Sequence, residues 1–174
     1  VEKAWLDRFL EIAGTGAAIL DVGCGSGVPI AAYLVGRGAR VIGVDSSPEL
    51  LAAFARNVPG GEAILSDMRK LKLDRQFAGV LAWDSLFHLT QADQRAVLPR
   101  LAALAAPGGA LMFNSGPADG VAIGTFEGEP LFHASLDPGA YRALLARTGF
   151  SLVAHQANDA DCGGRTVWLW RKDG

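Results

Sequence analysis

AAILDVGCGSG, Ala17–Gly27, sets four apolar residues and an acid in front of three glycines, each separated from the next by one residue. The apolar run reads as a buried strand, so the loop behind it, almost free of side chains, calls for a physical reason. Without a Cβ the chain enters φ > 0 at no cost and lets a ligand approach the backbone, while the helix that follows presents unpaired N–H groups. The glycines, Gly23, Gly25 and Gly27, are spaced Gly-x-Gly-x-Gly, and Val28 stands where a dinucleotide-binding Gly-x-Gly-x-x-Gly has its last glycine. No Gly-Lys-Ser/Thr follows, so a P-loop lysine is missing as well. A tight strand-to-helix turn without a ligand is the plainer alternative.

On either side of this loop, short β-branched or apolar runs alternate with helix-like segments, the signature of a parallel sheet covered on both faces. The pattern predicts an amphipathic helix over Val1–Ala13, strands over Ala17–Val22, Ala39–Val44 and Ala63–Leu65, and helices over Pro29–Arg37 and Pro48–Arg56. Ser47 and Pro48 supply an N-cap and an N1 proline for the last of these. A fourth strand starts near Phe77. Thr90 with Asp93 resembles a capping box for a helix to about Ala106, bent at Pro99, and Ala110–Asn114 is a fifth strand entered through Pro107-Gly108-Gly109. After a helix over Pro138–Thr148, Ser151–Gln156 and Thr166–Arg171 follow with no helix between them, which favours an antiparallel closing pair. Ser115–Leu136 has no clear periodicity and is expected to be a loop, a candidate substrate lid.

The 174 residues, half of them hydrophobic and 20% charged, fit one domain spanning 1–174. Lysines and arginines are scattered and the net charge is −2, so no basic stripe exists for nucleic acid. No segment is long and apolar enough for a membrane partner. Cys24 and Cys162 lack CxxC or CxxH company, which gives no disulfide framework and no metal site and suits a cytoplasmic location. The chain is expected to be a monomer or a weak homodimer. Starting at Val1 without a basic-then-apolar leader, it reads as a trimmed or partial chain.

Two acids extend the site. Asp45 in VIGVDSS ends the second strand, where a carboxylate accepts hydrogen bonds from both hydroxyls of a ribose; a solvated turn acid is its alternative. Asp67 and Met68 in LSDMRKL end the third, where the acid suits an adenine amino group and the methionine a ring face.

Together these residues resemble the class I S-adenosylmethionine-dependent methyltransferases. ILDVGCGSG resembles motif I, VIGVDSSPEL the ribose-binding acid, SDMRKL the adenine segment, FAGVLAWDSLFHL the fourth-strand motif and LAALAAPGGALMF the helix, turn and fifth strand. The resemblance implies a Rossmann-like α/β fold with a seven-stranded, mostly parallel sheet in the order 3-2-1-4-5-7-6, strand 7 antiparallel, and helices on both faces. It implies S-adenosyl-L-methionine as cofactor, with Asp21 and Gly23 near the methionine moiety and Gly25, Gly27 and the small Cys24 shaping the loop. Asp45 with its neighbour Ser46 then serves the ribose, Asp67 and Met68 the adenine, and Trp83, Asp84 and Ser85 the transferring methyl. The wording of WDSLFHL and FHASLDPGAYRALLARTGF is similar to a bacterial group of small methyltransferase-domain proteins, in which a preceding N-terminal helical segment helps cover the cofactor.

The sulfonium methyl is intrinsically electrophilic, so the protein's task is to hold a nucleophile in line and exclude water. A base is needed only where the acceptor must lose a proton. Asp84, His88 and His133 are the candidate catalytic side chains, with plain packing or capping roles as the alternative for each histidine. Ile123, Phe126, Leu131 and Phe132 suit a lid over a small, partly hydrophobic methyl acceptor. A non-catalytic S-adenosylmethionine-binding module and an NAD-dependent oxidoreductase are the competing readings; Val28 and the closing strand pair disfavour the second.

Overall fold

The computed structural model describes residues 1–126 and 128–174, with Phe126 described by its backbone alone. The lid role considered for the Phe126 side chain therefore lies outside the described residues.

Helix α1 (Lys3–Ala13) leads into β1 (Ala18–Val22), α2 (Ile30–Gly36), β2 (Arg40–Asp45), α3 (Pro48–Asn57), β3 (Glu62–Leu65) and β4 (Phe77–Ala82). Then come α4 (Gln91–Leu104), β5 (Ala105–Ser115), β6 (Gly120–Phe126), β7 (Glu129–Ser135), α5 (Pro138–Arg147), β8 (Phe150–Asp159) and β9 (Arg165–Lys172). Seven strands form one sheet in the order β3-β2-β1-β4-β5-β9-β8. All ladders from β3 to β5 are parallel, whereas β9 runs antiparallel to both β5 and β8. This is the order the resemblance implied, with β8 and β9 in the places of its sixth and seventh strands.

The pleat divides the core between two faces. On β5, Ala110 and Met112 pack with Leu6 and Phe9 of α1 and Leu34 of α2; Leu111 and Phe113 pack with Leu98 of α4 and Tyr141 of α5. The caps fall where the sequence puts them: Ser47 Oγ accepts from Leu50 N at 3.2 Å, and Thr90 Oγ1 from Asp93 N at 3.1 Å. Pro99 lies inside a continuous α4. Pro107-Gly108-Gly109, expected as a turn, is part of β5, with a register shift against β4 between Phe77 and Gly79.

The largest departure from the sequence reading lies over Ser115–Leu136. In place of a loop, β6 and β7 form a separate antiparallel hairpin pairing Gly120 with Ser135 through to Phe126 with Glu129. Two glycines in GVAIGTF and Pro130 in the partner blurred the period-2 pattern. Pro130 is tolerated because a two-stranded ribbon has only edges. Among the described residues no helix is long and apolar enough to cross a membrane.

Candidate functional site

In a parallel sheet the strand carboxyl ends open a crevice where the strand order reverses, here between β1 and β4. The glycine loop closes its floor. Gly23 N and Cys24 N donate to Val44 O at 2.7 and 3.0 Å, and Gly25 N donates to Asp45 Oδ2 at 2.9 Å. Asp45 Oδ1 accepts from Ser47 N at 2.9 Å, so one carboxylate ties the glycine loop to the start of α3.

Gly23 and Gly25 have φ of +76° and +54°, but their surroundings differ. A Cβ on Gly23 would lie 2.3 Å from Ser85 Cβ, whereas one on Gly25 would meet nothing within 4 Å. The first glycine permits close packing of the chain on itself. The second leaves open space over a cavity of about 400 Å³. Asp45, Ser46, Asp67, Met68, Asp84 and His88 contribute to its walls, bringing most of the expected site residues to one place.

The carboxylates differ in electrostatics. Asp21, 2% exposed, has an Oδ2 without a hydrogen-bond partner; burial and then the Asp45 charge push its pKa up to about 7. Asp67 is engaged by its neighbour, with Arg69 Nε 3.0 Å from both carboxylate oxygens, and these bonds hold its pKa down at about 2. Asp21, Cys24, Gly27 and Trp83 are buried and lie outside the cavity walls. The Cys24 thiol packs toward Gly43, and burial pushes its pKa up, which keeps it protonated.

A second cavity of about 830 Å³ adjoins the first and shares Asp84 and His88 with it. Asp84 stands at φ +47°, a conformation uncommon for a residue with a side chain. Asn114, at the carboxyl end of β5, clamps this turn: its Oδ1 accepts from Asp84 N at 2.8 Å and its Nδ2 donates to Asp84 Oδ1. Arg165, opening β9, forks onto the same carboxylate, Nε to Oδ1 at 2.9 Å and Nη2 to Oδ2 at 2.8 Å.

The hairpin supplies the opposite wall. His133 from β7 packs against both Phe87 and His88, with ring centroids 4.9 and 5.1 Å away, and all three candidate catalytic residues border this cavity. Phe132 O lies 3.2 Å from His88 Nδ1. Since a carbonyl only accepts, Nδ1 carries the proton and Nε2 of the neutral ring is left as a free base. Burial, then the neighbouring His88, lower the His133 pKa, and its Nε2 is buried without a partner.

Asn114 and Arg165 were missing from the sequence reading. Asn114 obeys the rule that found Asp45 and Asp67, an end-of-strand position at the same sheet edge. Arg165 escapes it because an antiparallel strand brings its amino end to that edge. Among the described residues, no group of three or more His, Cys, Asp or Glu is placed to hold a metal ion.

The doubly wound sheet with its antiparallel β9, the glycine loop and the acids at successive strand ends define a class I methyltransferase fold. Residues 19–109, more than half of the chain, match the family described as methyltransferase domain, and the chain belongs to that family. S-adenosyl-L-methionine is the cofactor of such a domain, and the Gly25 cradle beside Asp45 fits it. No curated protein matches the sequence. Among solved structures, the chain is similar to S-adenosylmethionine-bound CalS10, an amino pentose methyltransferase from Micromonospora echinaspora, at 20% identity over 98% of this chain and 89% of that one, TM-score 0.78. A Burkholderia thailandensis 1,6-didemethyltoxoflavin-N1-methyltransferase, solved with 1,6-didemethyltoxoflavin and S-adenosylhomocysteine, shares 22% identity over 99% and 78%, TM-score 0.78. DesVI of Streptomyces venezuelae shares 16% over 99% and 90%, TM-score 0.76. At these identities the likeness is one of fold.

Proposed function

We propose that this methyltransferase acts on a small molecule, with the cofactor held in the 400 Å³ cavity and the methyl acceptor in the 830 Å³ cavity beside it. The observation that carries this reading is the meeting of the two cavities at Asp84 and His88. Methyltransferases of small molecules and sugars among the structural neighbours support it.

In this reading Asp45 takes the ribose hydroxyls with the lone pairs left over from Gly25 N and Ser47 N, since a carboxylate offers about four acceptor sites. Asp67 and Met68 frame the adenine, and Ser46 closes the ribose side. When bound, the cofactor supplies a methyl on a sulfonium: the acceptor's lone pair takes the carbon while the carbon–sulfur electrons stay on sulfur. The chain's own residues hold the acceptor, exclude water under the hairpin and, where the acceptor carries a proton, receive it at His88 Nε2.

Titration of S-adenosylhomocysteine into wild type and Asp45→Ala tests the cofactor half. The variant should bind weaker by about 1.5–3 kcal/mol, the worth of charge-assisted hydrogen bonds, and an unchanged affinity removes Asp45 from the site. Turnover of S-adenosylmethionine in the presence of a small-metabolite extract tests the transfer; activity untouched by His88→Ala removes the base.

A further inference from the structure

The second cavity engages its cation from within. Among the described residues its one arginine, Arg165, is committed bidentately to Asp84, and Asn114 takes up a further lone pair of the same carboxylate. Arg165 and Asp84 side chains are 31% and 41% exposed, so the pair borders the open cavity. Asp119, exposed, accepts from Gln91 Nε2 at 3.0 Å. The remaining titratable groups among the described residues are the two imidazoles, and burial, then the neighbouring His88, lower the pKa of His133. An anionic guest would thus meet no free counter-charge among the described residues and would give up its hydration on entering, whereas Asp119 leaves a cation one carboxylate.

The other walls are apolar and aromatic. Phe87 meets His133 edge-on, at 78°, and His133 leans on His88 at 47°, which presents ring edges and faces to a planar guest. Leu131 and Val121 extend that surface along the hairpin. His88 Nε2, its tautomer set by the Phe132 carbonyl, is a proton acceptor at the boundary between the two cavities.

We propose that the acceptor is an aromatic compound without negative charge that reacts through an acidic O–H or N–H, and that the Asp84–Arg165 pair, by engaging the arginine, is the element that rejects anionic acceptors. This rests on the second cavity being the acceptor site. The aromatic walls take the ring, the engaged arginine leaves an anion without a partner, and His88 Nε2 takes the proton released as the new bond to carbon forms. Arg165 therefore acts on specificity through Asp84.

Ligand-observed NMR on protein saturated with S-adenosylhomocysteine tests this with three probes of similar size at neutral pH: phenol, benzoate and benzylammonium. Phenol should bind wild type more tightly than benzoate. Arg165→Met leaves Asp84 unpaired and should move the preference toward benzylammonium, by roughly three- to fivefold, the scale of a partly exposed charge pair. Asp84→Asn leaves Arg165 unpaired and should move it toward benzoate; it decides alone where Arg165→Met does not fold. Benzoate binding wild type as tightly as phenol, or folded variants keeping the wild-type order, overturn the inference. Loss of S-adenosylhomocysteine binding by wild type would instead overturn the methyl-transfer reading beneath it.

Discussion

The first cavity takes its walls from consecutive strand ends, Gly23 and Gly25 after β1, Asp45 and Ser46 after β2, Asp67 and Met68 after β3. The second draws together residues that are distant along the chain: Asp84 is 30 residues from Asn114 and 81 from Arg165, and His88 meets the Phe132 carbonyl 44 residues away. Local backbone geometry builds the one, and tertiary pairing builds the other. A cofactor common to a whole family suits the first kind of construction. A cavity whose walls are remote side chains can change guests without disturbing the sheet.

Titration sharpens this contrast most. Asp21 lies behind the first cavity with its carboxyl pKa raised from 3.8 to about 7. Between those values the folded chain holds a proton that the unfolded chain has lost, so the stability linked to it is full below about pH 4 and lost as pH rises through about 7, up to about 4 kcal/mol. His133, beside the second cavity, has a lowered pKa and acts with the opposite sign: its contribution is lost as pH falls through the ordinary histidine range. Urea midpoints against pH check this. Asp21→Asn should flatten the slope between pH 4 and pH 7, and a slope identical to wild type would sink the claim.

What was readable in the sequence follows the same division. The glycine loop, Asp45 and Asp67 are legible because a strand followed by an acid or a glycine announces its own carboxyl end, and parallel topology gathers those ends. The closing pair β8–β9 is legible from the missing helix. The hairpin was hidden because Gly120, Gly124 and Pro130 break the alternation that marks a strand, leaving pairing as the only signal. Arg165 was hidden by direction: nothing local distinguishes an arginine that opens an antiparallel strand from a solvated one. His88 and His133 were found as types but not as a pair, since their contact depends on the hairpin folding back.

Gly23→Ala and Gly25→Ala break the comparison within a single loop. At Gly23 the new Cβ would lie 2.3 Å from Ser85 Cβ at φ +76°, and overpacking adds to left-handed strain for a loss of about 3 kcal/mol in denaturant unfolding. At Gly25 only the backbone term applies, about 1 kcal/mol, yet S-adenosylhomocysteine affinity should fall because the added methyl occupies the cradle. Equal stability losses with unchanged affinity at Gly25 would place the ligand elsewhere.

A buried polar network should separate the halves most cleanly. Gln94, 0% exposed on α4, donates from Nε2 to Ala134 O at 2.7 Å and to Leu89 O at 3.0 Å, while its Oε1 accepts from Tyr141 Oη at 2.6 Å. Tyr141 Oη accepts in turn from Leu136 N at 3.1 Å, so this buried chain fixes the end of β7 and the first residue after it to α4 and α5. Gln94→Ala strands several of these groups without partners and should cost about 2 kcal/mol; Tyr141→Phe, which removes only the hydroxyl, about 1 kcal/mol. Because the network touches the hairpin and avoids the glycine loop, amide exchange should quicken along β7 while S-adenosylhomocysteine affinity stays at the wild-type value. A cofactor affinity that falls in step with hairpin protection would mean that the two cavities are one cooperative unit, and that the hairpin belongs to cofactor binding as much as to the acceptor.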